Sequence, residues 1–300
     1  MWRKVEGKRF KKKSKKDIIL TVLIIFFTLV ALICTGFYIY NTFILDVIDK
    51  SSVENLSKNI DVILAPDTNT EDDTDDGIVY SDSQPEIVRI GVDELDLNKI
   101  PFLEYDKDKL STSSSDAVGW FKFTGPESVS GLPISNPLMQ GSNNEYYLSH
   151  DYSGQENPNG AIYVDFNASM PNITSNKNTV IYGHARSKQK FGGLKYLNDA
   201  EAWYANAYNH FVYITTPTQK TVWQVFSWYE TTADADYRKT YFSSDSDYVN
   251  YVNKLQNRNS ISSLKKFNFS STDKIITLST CKGTDENKRV AVHAVLVKQG

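Results

Sequence analysis

Cysteine is scarce, with two residues among 300, Cys34 and Cys281. Cys34 lies within an apolar run, so Cys281 has no disulfide partner in a folded domain, and a disulfide-stapled small scaffold is excluded. Histidine is nearly as sparse: His150, His184, His210 and His293 are scattered along the chain, and Cys281 has no nearby soft ligand. No metal site and no cofactor are therefore expected. The acidic stretch 65–86, APDTNTEDDTDDGIVYSDSQPE, lacks the spaced glycine and closing glutamate of a calcium loop. Nor is one sign of charge in large excess, the net charge being −3.

That balance hides a local asymmetry. Arg3, Lys4, Lys8, Arg9, Lys11, Lys12, Lys13, Lys15 and Lys16 are opposed only by Glu6 and Asp17, and residues 18–40 then carry no charge. At about 1.5 Å per residue that run spans the ~30 Å hydrocarbon core. It exceeds the apolar region of roughly 7–15 residues in a signal peptide, and no A-x-A site follows it. The bulky Ile33 before Cys34 argues against a lipoprotein acceptor. A basic cluster directly before such a run orients it, with the N-terminus cytoplasmic, rather than binding nucleic acid.

The expected organisation is a basic cytoplasmic tail (1–17), a single transmembrane anchor (18–40), an extracellular stalk or linker (41–86) and a catalytic domain (87–300). Apolar spacing over 44–64 suits a helix, and the Pro- and Asp-rich remainder of the stalk has little to bury. Within 87–300 a leading helix is expected over 94–110. Strands are expected at 117–123, 145–148, 161–166, 179–182, 210–215, 221–229, 274–281 and 289–298. Many strands and few helices favour a closed barrel or a sandwich. Between the last two pairs, Tyr248, Tyr251, Val252 and Leu255 share one helical face, with Ser244 and Asp247 as an N-terminal cap. That helix either covers the barrel or walls a groove.

The chemistry gathers at two strand ends. Cys281 closes the run Lys274–Cys281 where it gives way to a polar turn, and Arg289 opens the next strand. Alternation puts Ile276, Leu278 and Thr280 on one face and Thr277, Ser279 and Cys281 on the other, with Arg289, Ala291 and His293 facing alike. Thiol and guanidinium then emerge on one polar surface, where the cation favours thiolate or binds an oxyanion. A nucleophilic thiol needs a proton partner, most often histidine. His184 ends the apolar strand Thr179–Tyr182 after a turning glycine, Gly183, in a setting like that of Cys281. His293 lies mid-strand and reads as a packed, hydrogen-bonded residue.

These residues resemble the sortase family. Thr277-Leu278-Ser279-Thr280-Cys281 is similar to the signature T-L-x-T-C, Arg289 stands where sortases place an arginine, and Tyr182-Gly183-His184 looks like their histidine motif. Segments 116–120, 144–148, 160–163 and 289–297, with the helical insertion, look like class B. The resemblance implies an eight-stranded β-barrel and a membrane-anchored transpeptidase of a Gram-positive surface. Cys281 would form a thioacyl-enzyme with the threonine of a sorting signal, NPxTx-like in class B. His184 would shuttle the proton, and Arg289 would hold the oxyanion. The partners would be a surface protein bearing the signal and an amine of a peptidoglycan precursor or cross-bridge. Family position also makes Asn144, Leu148, Tyr237 and Ser279 candidate groove residues, each of which equally fits ordinary barrel surface.

Three other readings stay open from sequence. A pilin-polymerising sortase would use a pilin lysine as acceptor, an extracellular cysteine protease would use water, and a tethered binding module would keep Cys281 for structure.

Overall fold

Helix α1 (Lys15–Ile39) begins where Ser14 caps it: the Ser14 hydroxyl accepts from the Asp17 amide at 3.2 Å, and the Asp17 carboxylate accepts from the Ser14 amide at 3.0 Å. The structure, a computed structural model, describes residues 14–65, 95–126, 128–206, 208–282 and 285–300. Among the described residues, the helix beginning at Lys15 is the one long and apolar enough to cross a membrane. The basic tail up to residue 13 and the acidic stretch from 66 lie outside the described residues.

The chain divides into two compact units, up to Ile48 and from Asp49 to Gly300. Helix α2 (Leu45–Asn59) runs into the second, where Val53, Leu56 and Ile60 join a buried cluster. Strand β1 (Ile63–Ala65) then pairs antiparallel with β2 (Phe102–Glu104). Residues 49–65, expected within the stalk, therefore contribute buried apolar side chains to the second compact unit. The expected helix over 94–110 is divided. Asp96 caps a short turn at Leu97–Lys99, Pro101 stands before β2, and Asp106 caps α3 (Lys107–Ser113) by accepting from the amides of Asp108 and Lys109.

The rest is β3 (Ala117–Phe123), β4 (Ile134–Met139), β5 (Ile162–Val164), β6 (Asn178–Tyr182), α4 (Glu201–Tyr204), β7 (Phe211–Thr215), β8 (Lys220–Thr232), α5 (Asp245–Asn257), β9 (Ile275–Lys282) and β10 (Asp285–Gln299). Eight strands close a barrel in the order β10-β8-β7-β3-β4-β5-β6-β9. Sequence patterning misses β4, which contains Pro137. That proline is tolerated because β5 pairs only with Leu138 and Met139, leaving β4 an edge at residue 137. The expected strand 145–148 is instead a 3-10 turn, Tyr146–Leu148, since the Asn143 side chain accepts from the amides of Glu145 and Tyr146.

Ile276, Leu278, Val290, Val292 and Ala294 point into the barrel with Ile181 and Trp223. The opposite face is no open polar surface, contrary to the alternation argument. Helix α5 lays Tyr248, Tyr251, Val252 and Leu255 over it, together with Tyr229, Tyr237, Phe226, Phe267 and Phe269. Ser244 caps α5 as the sequence predicts, its hydroxyl accepting from the Asp247 amide. Beneath this cover His293 is held between Tyr229, whose hydroxyl lies 3.0 Å from Nε2, and Thr277, whose hydroxyl lies 3.0 Å from Nδ1.

Burial pushes His293 down to about 3 and His210 to about 4. Both rings fold neutral, so their stability contribution is complete above the ordinary value near 6.5 and is lost as pH falls from there towards 4. Each ring should cost up to roughly 1 kcal/mol per pH unit, because the unfolded chain binds the protons that the folded rings refuse. Melting temperatures across that range should fall, and His293→Phe should flatten the slope. Removing residues 1–48 should leave a cooperative melt. Removing 1–86 should cost several kcal/mol, since burying each of Val53, Leu56 and Ile60 is worth about 1.5–3 kcal/mol.

Candidate active site

Strand β9 has a different partner on each edge, and the site follows from that. On one edge it pairs antiparallel with β10, setting Cys281 directly opposite Arg289 and Ser279 opposite Ala291. On the other it pairs parallel with β6, with Val180 level with Thr277 and Tyr182 level with Ser279. That register ends with Tyr182 and Ser279, and His184 follows two residues beyond the one as Cys281 follows two residues beyond the other. The Gly183 amide still donates to the Ser279 carbonyl at 3.4 Å, and the Thr280 hydroxyl donates to the Gly183 carbonyl at 2.7 Å. Both bonds hold the chain to the ladder up to the histidine. Gly183 serves here through close approach rather than by turning the backbone: a Cβ there would lie 2.8 Å from the Phe191 ring.

Cys281, His184 and Arg289 are all half-buried, whereas Ser279, Ala291 and His293 further along β9 and β10 are buried. The Arg289 guanidinium donates to the Lys288 carbonyl at 3.0 Å. Lys282, next to the thiol, is ion-paired with Glu230. Nε2 of His184 lies 2.7 Å from the Leu148 carbonyl oxygen. A carbonyl only accepts, so Nε2 carries the hydrogen and Nδ1 is the nitrogen free to take a proton. Burial holds the imidazole below its ordinary range; the bond to Leu148 opposes this, and the nearby Arg186 charge adds to the lowering. The ring is therefore neutral near pH 7 and able to move a proton either way.

The other candidate residues divide by depth. Leu148 is exposed, and its carbonyl is the one that holds His184. Asn144 is half-buried with its amide committed: Nδ2 donates to Asp165 at 2.8 Å, and Oδ1 accepts from the Phe166 amide at 3.0 Å. Tyr237 is 0% exposed, with its hydroxyl 2.9 Å from that of Ser279, so this pair lies beneath the accessible surface.

Sequence reasoning missed a polar cluster alongside. The Tyr182 hydroxyl donates to Asp165 at 3.1 Å, and the Tyr163 and Tyr182 rings lie 5.2 Å apart. Burial, then the Asp165 charge, raises the Tyr182 phenol, and the Arg238 guanidinium opposes that rise. Tyr163 is close enough to feel the charge of Cys281. Tyr182 was available to strand alternation, two residues before His184. Arg238 comes from a distant loop, and no local pattern marks it. Among the described residues no cluster of three or more histidine, cysteine or acidic side chains is arranged to hold a metal.

The profile of the Sortase domain matches residues 138–297, more than half of the chain. Sortase B of Staphylococcus aureus (strain NCTC 8325 / PS 47) is 31% identical over 195 residues, covering 64% of this chain and 74% of that protein. The chain belongs to the class B sortases. A Bacillus anthracis crystal structure described as similar to sortase B matches this sortase with a TM-score of 0.58 and 25% identity, over 83% of this chain and 95% of that one. The Staphylococcus aureus sortase B–substrate complex matches with a TM-score of 0.52 and 28% identity, over 64% of this chain and 85% of that one. The sortase is a cysteine transpeptidase, and the closed eight-stranded barrel and enzyme class expected from the sequence are borne out.

Titration of the four histidines by NMR should place the His184 midpoint below the ordinary value of about 6.5. Arg186→Gln should move it upward, because a repelling charge is removed.

Proposed function

We propose that Cys281 is the nucleophile of this transpeptidase, His184 its proton carrier and Arg289 the group that holds the developing oxyanion. The double pairing of β9 supports this reading, with arginine opposite the thiol on one edge and, on the other, the strand whose chain runs on to His184 two residues past its last pair. Nδ1 of His184 takes the proton of the Cys281 thiol, the resulting thiolate attacks the threonine carbonyl of a sorting signal, and the Arg289 guanidinium donates to the oxygen as charge builds there. The bond after threonine breaks, and the departing amine takes the proton that Nδ1 of the His184 imidazolium now carries. An incoming amine then attacks the thioester and gives its proton back to the imidazole, and the sulfur leaves as thiolate.

The signal is of the NPxTx type, and the acceptor is an amine of a peptidoglycan precursor or cross-bridge. The solved complex of the Staphylococcus aureus relative with a substrate supports peptide binding on this barrel. Leu148 meets the peptide beside His184, whereas Asn144, Tyr237 and Ser279 shape the groove from below. Helix α1 anchors the enzyme as a single-pass protein, with the basic tail inside and the catalytic domain outside. Both substrates are then met at the outer leaflet.

The test is a panel of sorting-motif peptides with and without added amines. Amine should accelerate turnover and give an amide product. Release of acid at a rate indifferent to amine would make the chain a protease, and a product linked through a pilin lysine would make it a polymerase. Cys281→Ala should abolish the thioacyl intermediate in mass spectra. Arg289→Lys should lower kcat/KM by about 10²–10³-fold, since a compact ammonium cannot reproduce the planar fork of donors.

A further inference from the structure

The carboxylate of Asp49 lies at the very start of the second compact unit and is 4% exposed. Its two oxygens accept from two side-chain amides more than a hundred positions away: Nδ2 of Asn157 at 2.6 Å and Nδ2 of Asn159 at 2.8 Å. Both asparagines are themselves buried. A buried carboxylate has to find donors, and buried amides have to find acceptors, so the three groups fix one another's positions.

What they fix is the segment against which the histidine packs. The Asn157 side-chain oxygen accepts from the Asn159 amide at 2.9 Å, the Asn157 amide donates to the Ser149 carbonyl at 2.8 Å, and the Asn157 carbonyl accepts from the Gly160 amide at 2.9 Å. Gly160 has φ +59°, and a Cβ there would stand 2.4 Å from the Tyr147 carbonyl oxygen, 3.0 Å from that of Leu148 and 3.1 Å from Cδ2 of His184. The turn therefore lies flush against both the imidazole edge and the carbonyl that holds Nε2. Arg186, two residues beyond the histidine, donates to the Pro158 carbonyl at 2.9 Å and ties the same turn from the other side.

We propose that Asp49 is a positioning residue for His184: through Asn157 and Asn159 it seats the 157–160 turn, and the turn seats the Leu148 carbonyl that selects the imidazole tautomer. This rests on the reading of His184 as the proton carrier, and it extends the working site to the helix that follows the anchor. Without the carboxylate, two buried amides lose their acceptor, the turn shifts, and Nε2 loses the partner that keeps its hydrogen in place. The nitrogen available to the thiol and the amine then varies from molecule to molecule.

The test uses the full-length protein labelled with 15N-histidine, in which four imidazoles are to be assigned. In the parent, His184 should show the Nε2–H tautomer. Asp49→Asn keeps volume but removes one acceptor; it should mix the tautomers and lower kcat by about tenfold, with KM changing less than twofold. The exchange Asp49→Asn/Asn159→Asp restores a complementary set of donors and acceptors and should recover both the tautomer and the rate. In a His184→Ala background, Asp49→Asn should cause no further loss of residual activity. The proposal is overturned if Asp49→Asn leaves tautomer and kcat unchanged, if the folded exchange variant behaves like the single one, or if the loss adds to that of His184→Ala. The tautomer reading needs no turnover. A parent enzyme with the expected tautomer but full activity in His184→Ala would instead overturn the role given to His184.

Discussion

The whole site depends on β9 being a central strand with unlike neighbours. An antiparallel partner can be a hairpin neighbour, and β10 is one, which explains why thiol and guanidinium meet across a short connection. A parallel partner cannot be reached that way. Strand β6 lies nearly a hundred residues upstream, its Tyr182 level with Ser279, and only barrel closure brings it alongside. One strand thus sets Cys281 opposite a cation of its successor on one edge and, on the other, pairs with the remote strand whose chain runs on to His184.

Further along β9 the face of Ser279 and Thr277 is closed by aromatic rings and a chain of hydrogen bonds. Asn178 donates to the Lys239 carbonyl and accepts from Thr277, Thr277 meets His293, and His293 meets Tyr229. Thr277 spends its one hydrogen on Asn178, so His293 must offer Nδ1–H to it and accept from the Tyr229 hydroxyl at Nε2. Every member is satisfied with the imidazole neutral. His293 and His184 differ accordingly: His293 is locked into a filled network, while His184 has one nitrogen occupied and one left to work.

The barrel and its central residues were legible because they rest on local signals. Alternation in 274–281 and 289–298 reports which side chains enter the barrel, and Ser244 with Asp247 reports where α5 begins. Other features were hidden where a distant partner decides the outcome. Pro137 argues against a strand until the shortness of β5 is known. The run 145–148 reads as extended until Asn143 is seen to cap it. Residues 49–65 read as helical but as part of a stalk because apolar spacing names no partner, and what makes them structural is contact with Asn157, Asn159 and the cluster that also holds α5, none of which is near in sequence. Tyr237 and Ser279 carry family position but not depth, which only the cover of α5 supplies.

The seam between β6 and β9 spans five level pairs, from Asn178 with Ile275 to Tyr182 with Ser279, whereas β5 holds β4 and β6 by two pairs each. His184 and Cys281 follow just past the end of the longer seam, so fraying that starts at the weakly stapled β5 leaves the ladder that leads to both of them zipped.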